Sequence, residues 1–358
     1  MTVCAIETTR TAPFTIAADG AYAARLAGDG DALYAERWTL AGPEAYAVPL
    51  PLDQPEEADS EVLPLADGRV LIHRRVADWH AFALLYPTGA AAGPRTGELQ
   101  LGGVERKDGV RVRLLPPSPD GRRAFALAAG EGGTTVWQVA GGAPGPRRVA
   151  VVPGRCSGGV WLDRTGRLLA LDRELDGTTK AVAVDLERGG EVSPLLQIAE
   201  GSEDRLLLAD PDSGLLLIRS DAPGEPRLGW GVLGSSLPVR FPECLRHRDA
   251  NPFAVQPGQA LMPETCGVAL RLPEGDIGLW RPADRRVFRL GAPQGWLGGT
   301  GLWSAQGRLH LPYATPDAPC GILGLSLPPA PPPPVRLDPE PPPAPRPVPL
   351  QQAPLSRA

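Results

Sequence analysis

The apolar positions of this chain fall in short runs, each set off by a turn built around glycine. Arg69-Val70-Leu71-Ile72, Arg123-Ala124-Phe125-Ala126-Leu127, Arg167-Leu168-Leu169-Ala170-Leu171, Leu215-Leu216-Leu217-Ile218 and Arg308-Leu309-His310-Leu311 all follow such a turn. Seven turns recur: Ala18-Asp19-Gly20, Ala66-Asp67-Gly68, Pro119-Asp120-Gly121, Arg164-Thr165-Gly166, Asp212-Ser213-Gly214, Gln256-Pro257-Gly258 and Ala305-Gln306-Gly307. Their glycines stand 48, 53, 45, 48, 44 and 49 residues apart. An Asp-Gly or Ser-Gly pair supplies the positive φ that a tight connection between twisted strands demands. Each repeat is therefore expected to contain a hairpin.

A further strand follows the turn glycine by 16 to 22 residues, and in four repeats it carries a tryptophan: Trp38, Trp137, Trp230 and Trp280. An aromatic recurring at one position of a repeat predicts packing between neighbouring repeats. A fourth strand closes the repeat, as at residues 147–152 and 286–290. This spacing is that of a four-stranded propeller blade, and the pattern predicts an all-β fold, a seven-bladed β-propeller over residues 1–327. The seventh repeat reaches its third strand at Gly321-Ile322-Leu323-Gly324-Leu325-Ser326-Leu327 and then runs into proline, which leaves its outer strand vacant. The N-terminal run Thr2-Val3-Cys4-Ala5-Ile6-Glu7 has the length to fill that place and close the ring.

Composition sharpens the picture. With 43 Gly and 43 Pro among 358 residues, turns are favoured over helix. A block of the prolines lies in residues 328–358, a composition that forms neither helix nor sheet ladders and predicts a disordered tail with polyproline II bias. Its PxxP spacings, one beside Arg346, are what a groove-type domain docks, although a stiff linker or terminal extension is the plainer account of a generic proline tract. The net charge of −5 argues against a nucleic-acid partner, because phosphate binding needs a clustered basic surface. Residues 1–20 lack a basic segment followed by an apolar core, and no stretch reaches the roughly 18 apolar residues of a membrane span, so a cytoplasmic location without membrane attachment is expected. Five scattered cysteines, odd in number and without CxxC pairs, are expected to be free thiols.

The segment Pro117-Ser118-Pro119-Asp120-Gly121-Arg122-Arg123-Ala124-Phe125-Ala126 resembles the Ser-Pro-Asp-Gly turn of TolB-like propeller repeats, and Trp303-Ser304-Ala305-Gln306-Gly307-Arg308-Leu309 is a weaker copy. The repeat organisation is also similar to WD-type propellers. The resemblance spans about residues 10–327. It implies a fold and leaves function open.

In a propeller the first-hairpin turns lie on one face, and the loops between blades lie on the other with the second-hairpin loops. Asp19, Asp67, Asp120 and Asp212 read as turn residues of the first face. The second, ligand-binding face is expected to receive Gly154-Arg155-Cys156-Ser157 and Cys244-Leu245-Arg246-His247-Arg248-Asp249 as blade junctions. It should also receive Asp78-Trp79-His80, Glu264-Thr265-Cys266 and Asp317-Ala318-Pro319-Cys320 as second-hairpin loops. Thiolate and imidazole are the ligands of Zn or Cu, so Cys244, His247, Cys266 and Cys320 are candidate metal ligands. Buried cysteines acting as small hydrophobes account for the same residues, and no cofactor is required. His247, Asp249 and Glu264 are the candidate catalytic groups, and such a role needs convergence and a shifted pKa. His73 and His310 fall within strands and read as structural. No nucleophile elbow, P-loop or EF-hand spacing occurs, the acidic run Glu56-Glu57-Ala58-Asp59-Ser60-Glu61 included.

Two functions fit these residues. The first is a non-catalytic binding or scaffold module that recognises a protein or small ligand on a propeller face. The second is an enzyme with its site over the central channel, on the rim carrying Cys244, His247, Asp249, Glu264 and Cys266. The first needs no special residues, so the lack of catalytic motifs does not count against it, and it is the favoured reading.

Overall fold

A computed structural model describes residues 13–90, 93–246, 250–258, 262–304 and 306–326. The run Thr2 to Glu7 and the proline-rich residues 328–358 lie outside the described residues.

The strands form antiparallel groups in chain order. The first is β1 (Thr15–Ile16), β2 (Tyr22–Ala27), β3 (Tyr34–Thr39) and β4 (Tyr46–Leu50). The second is β5 (Glu61–Pro64), β6 (Val70–Val76), β7 (Trp79–Ala90) and β8 (Gly93–Glu105). The third is β9 (Arg111–Leu114), β10 (Ala124–Gly130), β11 (Gly133–Ala140) and β12 (Arg147–Val152). The fourth is β13 (Arg155–Trp161), β14 (Leu168–Leu175), β15 (Thr178–Asp185) and β16 (Glu191–Pro194). The fifth holds β17 (Asp204–Ala209), β18 (Leu215–Ser220) and β19 (Arg227–Val232), with a single bridge from Trp230 to Arg240 where a fourth strand would run. The sixth is β20 (Asn251–Val255), β21 (Val268–Arg271), β22 (Ile277–Trp280) and β23 (Phe288–Leu290). The seventh holds β24 (Leu302–Trp303), β25 (Arg308–Tyr313) and β26 (Gly321–Ser326). One parallel pair, Lys180 with Asp204, joins the fourth and fifth groups into one sheet.

Alternation along each strand sends apolar side chains to both faces of a group, so each group packs on two neighbours. The buried residues divide accordingly into clusters that each span two successive groups. Leu50 packs with Ile72 and Leu85, Leu71 with Ala126, Leu127 with Leu169, and Leu196 with Leu216. Leu217 packs with Val268, and Leu279 with Leu309. A further cluster joins the first group to the seventh, where Phe14, Ala23 and Trp38 meet Leu297, with Ala314 and Cys320 against them. Each fully buried leucine or aromatic contributes about 1.5–3 kcal/mol. Among the described residues the seam cluster is the smallest, centred on an edge-to-face contact of Phe14 with Trp38 at 5.0 Å. Trp38, Trp230 and Trp280 are buried as expected, and Trp137 is only partly so.

The turn glycines explain how closely the groups approach. Gly121 has φ 65°, and a Cβ there would stand 2.6 Å from the Ala66 side chain of the preceding group. Gly20 repeats this at the seam, with φ 73° and the Leu302 side chain of the seventh group where its Cβ would lie. Gly258 departs from the pattern. It lacks a positive φ, and its connection runs from Gln256 to Gly267 through a 3-10 turn at Pro263–Thr265. Among the described residues, no helix is long and apolar enough to cross a membrane.

Candidate functional site

The first strands of five groups, β1, β5, β9, β20 and β24, line a cavity of about 510 Å³. Phe14, Ile16, Phe253 and Leu302 give it apolar walls, and Glu61 and Arg113 are its charged groups.

Beside this cavity β13 carries a bulge. Its pairing with β14 shifts between Ser157 and Val160, and Gly158 and Gly159 take φ values of 73° and 134°. A bulge of this kind frees backbone groups and re-aims side chains. Arg113 from the third group donates to the Gly158 carbonyl. Arg205 from the fifth group reaches Ser157 Oγ at 3.4 Å and donates to Thr179 Oγ1 at 3.1 Å. Asp172, opposite Ser157 in the ladder, accepts from the Leu206 N–H at 3.0 Å. A Cβ on Gly158 would stand 2.9 Å from Asp172 Oδ2, so glycine lets the carboxylate close on the bulge. Burial pushes the Asp172 carboxyl up to about 6, against the opposing pull of the Leu206 N–H, Arg205 and Arg113. Burial likewise lowers the Arg113 guanidinium, opposed by Glu61 and Asp172.

A second polar chain crosses the second group. Glu61 Oε2 accepts from Leu114 N at 2.7 Å and lies 3.1 Å from His73 Nδ1, and His73 Nε2 lies 3.0 Å from His80 Nδ1. Both rings are buried. Burial first, then His73, Arg75 and Arg106, holds His80 below the ordinary histidine value, with Glu61 opposing. His73 is thus satisfied within a strand, and its partner His80 opens β7 beside exposed Trp79.

The residues expected on the metal-binding or catalytic rim are engaged separately. Cys244 lies in the 3-10 turn Glu243–Leu245, its thiol 4.0 Å from the Asp284 carbonyl. Cys266 donates its thiol to the Met262 carbonyl at 3.5 Å, and Glu264 accepts at its backbone carbonyl from Ala283 N at 2.9 Å. Cys320, between β25 and β26, packs against the seam cluster. Burial raises the Cys244 and Cys266 thiols and pushes Cys320 up to about 11, which keeps all three protonated. His247 and Asp249 lie outside the described residues. Among the described residues, no three His, Cys, Asp or Glu side chains are grouped to hold a metal ion.

Three expected placements are corrected, the first being Asp78-Trp79-His80, of which only Asp78 lies in the second-hairpin loop because β7 begins at Trp79. Glu264-Thr265-Cys266 belongs to the first-hairpin loop between β20 and β21, because the 3-10 turn at Pro263 lengthens that connection. Cys266 accordingly feels Ser213 and Asp210 of the neighbouring first-hairpin turn. Cys156 lies within β13 and only residues 153–154 form the junction.

Arg113, Asp172 and Arg205 were not singled out from sequence. The available signal was Gly158-Gly159 inside an otherwise strand-like run, which marks a bulge.

No protein-family model matches the chain, and no curated protein matches it by sequence. Among solved structures it is similar to a prolyl endopeptidase at 12% identity and a TM-score of 0.52, over 88% of this chain and 48% of that one. It is similar to prolyl oligopeptidase B from Galerina marginata at 11% identity and a TM-score of 0.52, over 87% of this chain and 45% of that one. The chain thus spans about half the length of these peptidases. It is also similar to TolB from Acinetobacter baumannii, at 10% identity and a TM-score of 0.44, over 84% and 78% of the two chains. At these identities the likenesses bear on the fold alone, and the fold is all-β and resembles the TolB-like β-propellers.

Proposed function

We propose that this chain is a non-catalytic binding module, a closed ring of seven blades that takes a protein segment at the mouth of its central cavity. One observation carries the reading. Arg113 and Arg205, from different groups, converge on the exposed Ser157-Gly158 bulge next to a cavity with apolar walls. Apolar walls with a few fixed polar groups are the usual make-up of a recognition site. The arrangement offers hydrogen-bond donors on a rigid frame.

Closure of the ring is supported by the packing of Phe14 and Trp38 against the seventh group and by the place of Gly20 against Leu302. In this reading the run Thr2 to Glu7 adds the fourth strand beside β26, and the proline-rich residues 328–358 act as a spacer or secondary docking segment.

The test is affinity capture with the full chain, with Ser157→Trp, and with a chain ending at Leu327, each checked for an unchanged melting temperature. A partner held by the full and shortened chains and lost with Ser157→Trp supports the cavity mouth. A partner that Ser157→Trp retains places binding elsewhere, and one lost only on shortening assigns it to the tail.

A further inference from the structure

The first strands of three successive groups enter on arginine. Arg111 opens β9, Arg155 opens β13, and Arg205 is the second residue of β17. They stand 10, 11 and 9 residues before Gly121, Gly166 and Gly214, which places them at matching positions remote from the first-hairpin turns. Ser157 and Asp172 share this end of the groups, and the contacts of Arg113 with Gly158 and of Arg205 with Ser157 tie the three strands together.

The charges around this arc are mostly committed. Glu61 is held by His73 and the Leu114 N–H, Glu203 accepts from Thr179 N and lies 3.5 Å from Arg205, and Asp172 is buried. Arg111 and Arg155 are exposed and make no ion pair or side-chain hydrogen bond among the described residues. Glu174 stands across the ladder from Arg155 without forming an ion pair with it. A protein of net charge −5 thus presents two unpaired guanidinium groups, Arg111 two residues before the cavity-lining Arg113 and Arg155 two residues before Ser157.

Guanidinium matches carboxylate geometry in a bidentate fork and is less strongly hydrated than an ammonium group. We propose that the segment bound at this mouth is an acidic peptide whose Asp or Glu carboxylates seat on Arg111 and Arg155, with Arg205 held beside them by Glu203 and Ser157. This rests on the binding reading above and adds the chemistry of the partner. The negative surface elsewhere would steer such a peptide to the arc and repel it from other faces. It also disfavours a polyphosphate chain, which needs a continuous basic track.

The experiment measures anisotropy of fluorescein-labelled hexaglutamate with the full chain at low salt, with hexalysine and a twelve-nucleotide oligodeoxythymidine as parallel probes. Hexaglutamate is expected to bind, to weaken as salt rises, and to lose about tenfold in affinity for each arginine reversed in Arg111→Glu and Arg155→Glu. Should the double reversal fail to fold, Arg111→Gln with Arg155→Gln serves with a smaller expected loss. Hexaglutamate binding no tighter than hexalysine, or unmoved by the reversals, overturns the proposal, and tighter oligonucleotide binding overturns it in favour of nucleic acid. If hexaglutamate fails while a captured partner still depends on Ser157, only the acidic assignment falls. If Ser157→Trp also changes nothing, the binding reading falls with it.

Discussion

The imidazoles of His73 and His80 share one hydrogen bond, Nε2 of the first lying 3.0 Å from Nδ1 of the second. A single N–H fits between them, so their tautomers are linked. With Glu61 accepting from His73 Nδ1–H, His73 Nε2 is left as the acceptor and His80 Nδ1–H as the donor. Glu61 also holds the Leu114 N–H, so this chain couples the second group to the first strand of the third.

A pH dependence of stability follows. His80 is held below its ordinary value of 6.5, chiefly by burial, with His73, Arg75 and Arg106 adding repulsion. Between that depressed value and 6.5 the unfolded chain binds the proton more readily, so stability is lost as pH falls through 6.5. In an Asp172→Asn background, which removes an opposing titration, thermal melts between pH 7.5 and 6 should show a falling melting temperature. His80→Gln, which keeps a donor for His73, should flatten that slope.

Asp172 has the opposite sign. Its folded-state value of about 6 lies above the ordinary 3.8, so between the two the folded protein holds the proton and stability rises as pH falls through 6. The ionised carboxylate is a liability near pH 7. Asp172→Asn keeps an acceptor for the Leu206 N–H and is expected to be as stable as the parent or more so at pH 7, with the slope between pH 6 and 4 removed. Asp172→Ala strands that N–H and should lose about 1–3 kcal/mol. Denaturant unfolding of the two variants separates these outcomes.

The fourth and fifth groups meet through two ion pairs of different worth. Asp204 is fully buried and accepts from Lys180 Nζ at 2.7 Å, Ser220 Oγ at 2.6 Å and Ile198 N at 3.0 Å. Arg164 and Asp212 pair between turns, with the guanidinium exposed and the carboxylate half-buried. Removing one partner of a buried pair costs about 3–5 kcal/mol, and an exposed pair is worth about 0–1 kcal/mol. Lys180 is partly exposed and Asp204 keeps other donors, so Lys180→Ala should lose about 2–3 kcal/mol. Arg164→Ala should lose under about 1 kcal/mol and be nearly silent in high salt. Chemical denaturation at two ionic strengths checks both.

The legible part of this structure is its local part. Asp-Gly turns and the strands they join are set by φ and by alternation within a few residues, and Gly20, Gly68, Gly121, Gly166, Gly214 and Gly307 all show the positive φ expected. Gly258 failed because Pro257 and Pro263 flank a longer connection that keeps the glycine without tightening the turn. That lengthening moved Glu264 and Cys266 to the other class of loop. The cluster around Ser157 was illegible for a different reason. Arg113 and Arg205 meet there from strands 45 and 48 residues away, and the bulge that admits them depends on how two ladders slip. Local pattern predicts a ladder, and only packing decides where it shifts.

Gly20 supplies a direct test of ring closure. Its positive φ alone makes alanine unfavourable by about 1–2 kcal/mol, a term that exists whether or not the first and seventh groups touch. The clash with Leu302 exists only if they do, and overpacking of that kind adds about 1–3 kcal/mol. Gly20→Ala should therefore lose more stability than Gly224→Ala, where φ is also positive and nothing lies within 4 Å. Leu302→Ala should recover the steric part, so the double variant should be less destabilised than the two single losses together. A coupling near zero between Gly20 and Leu302 would mean the two groups stand apart in solution, and the ring would be an open arc.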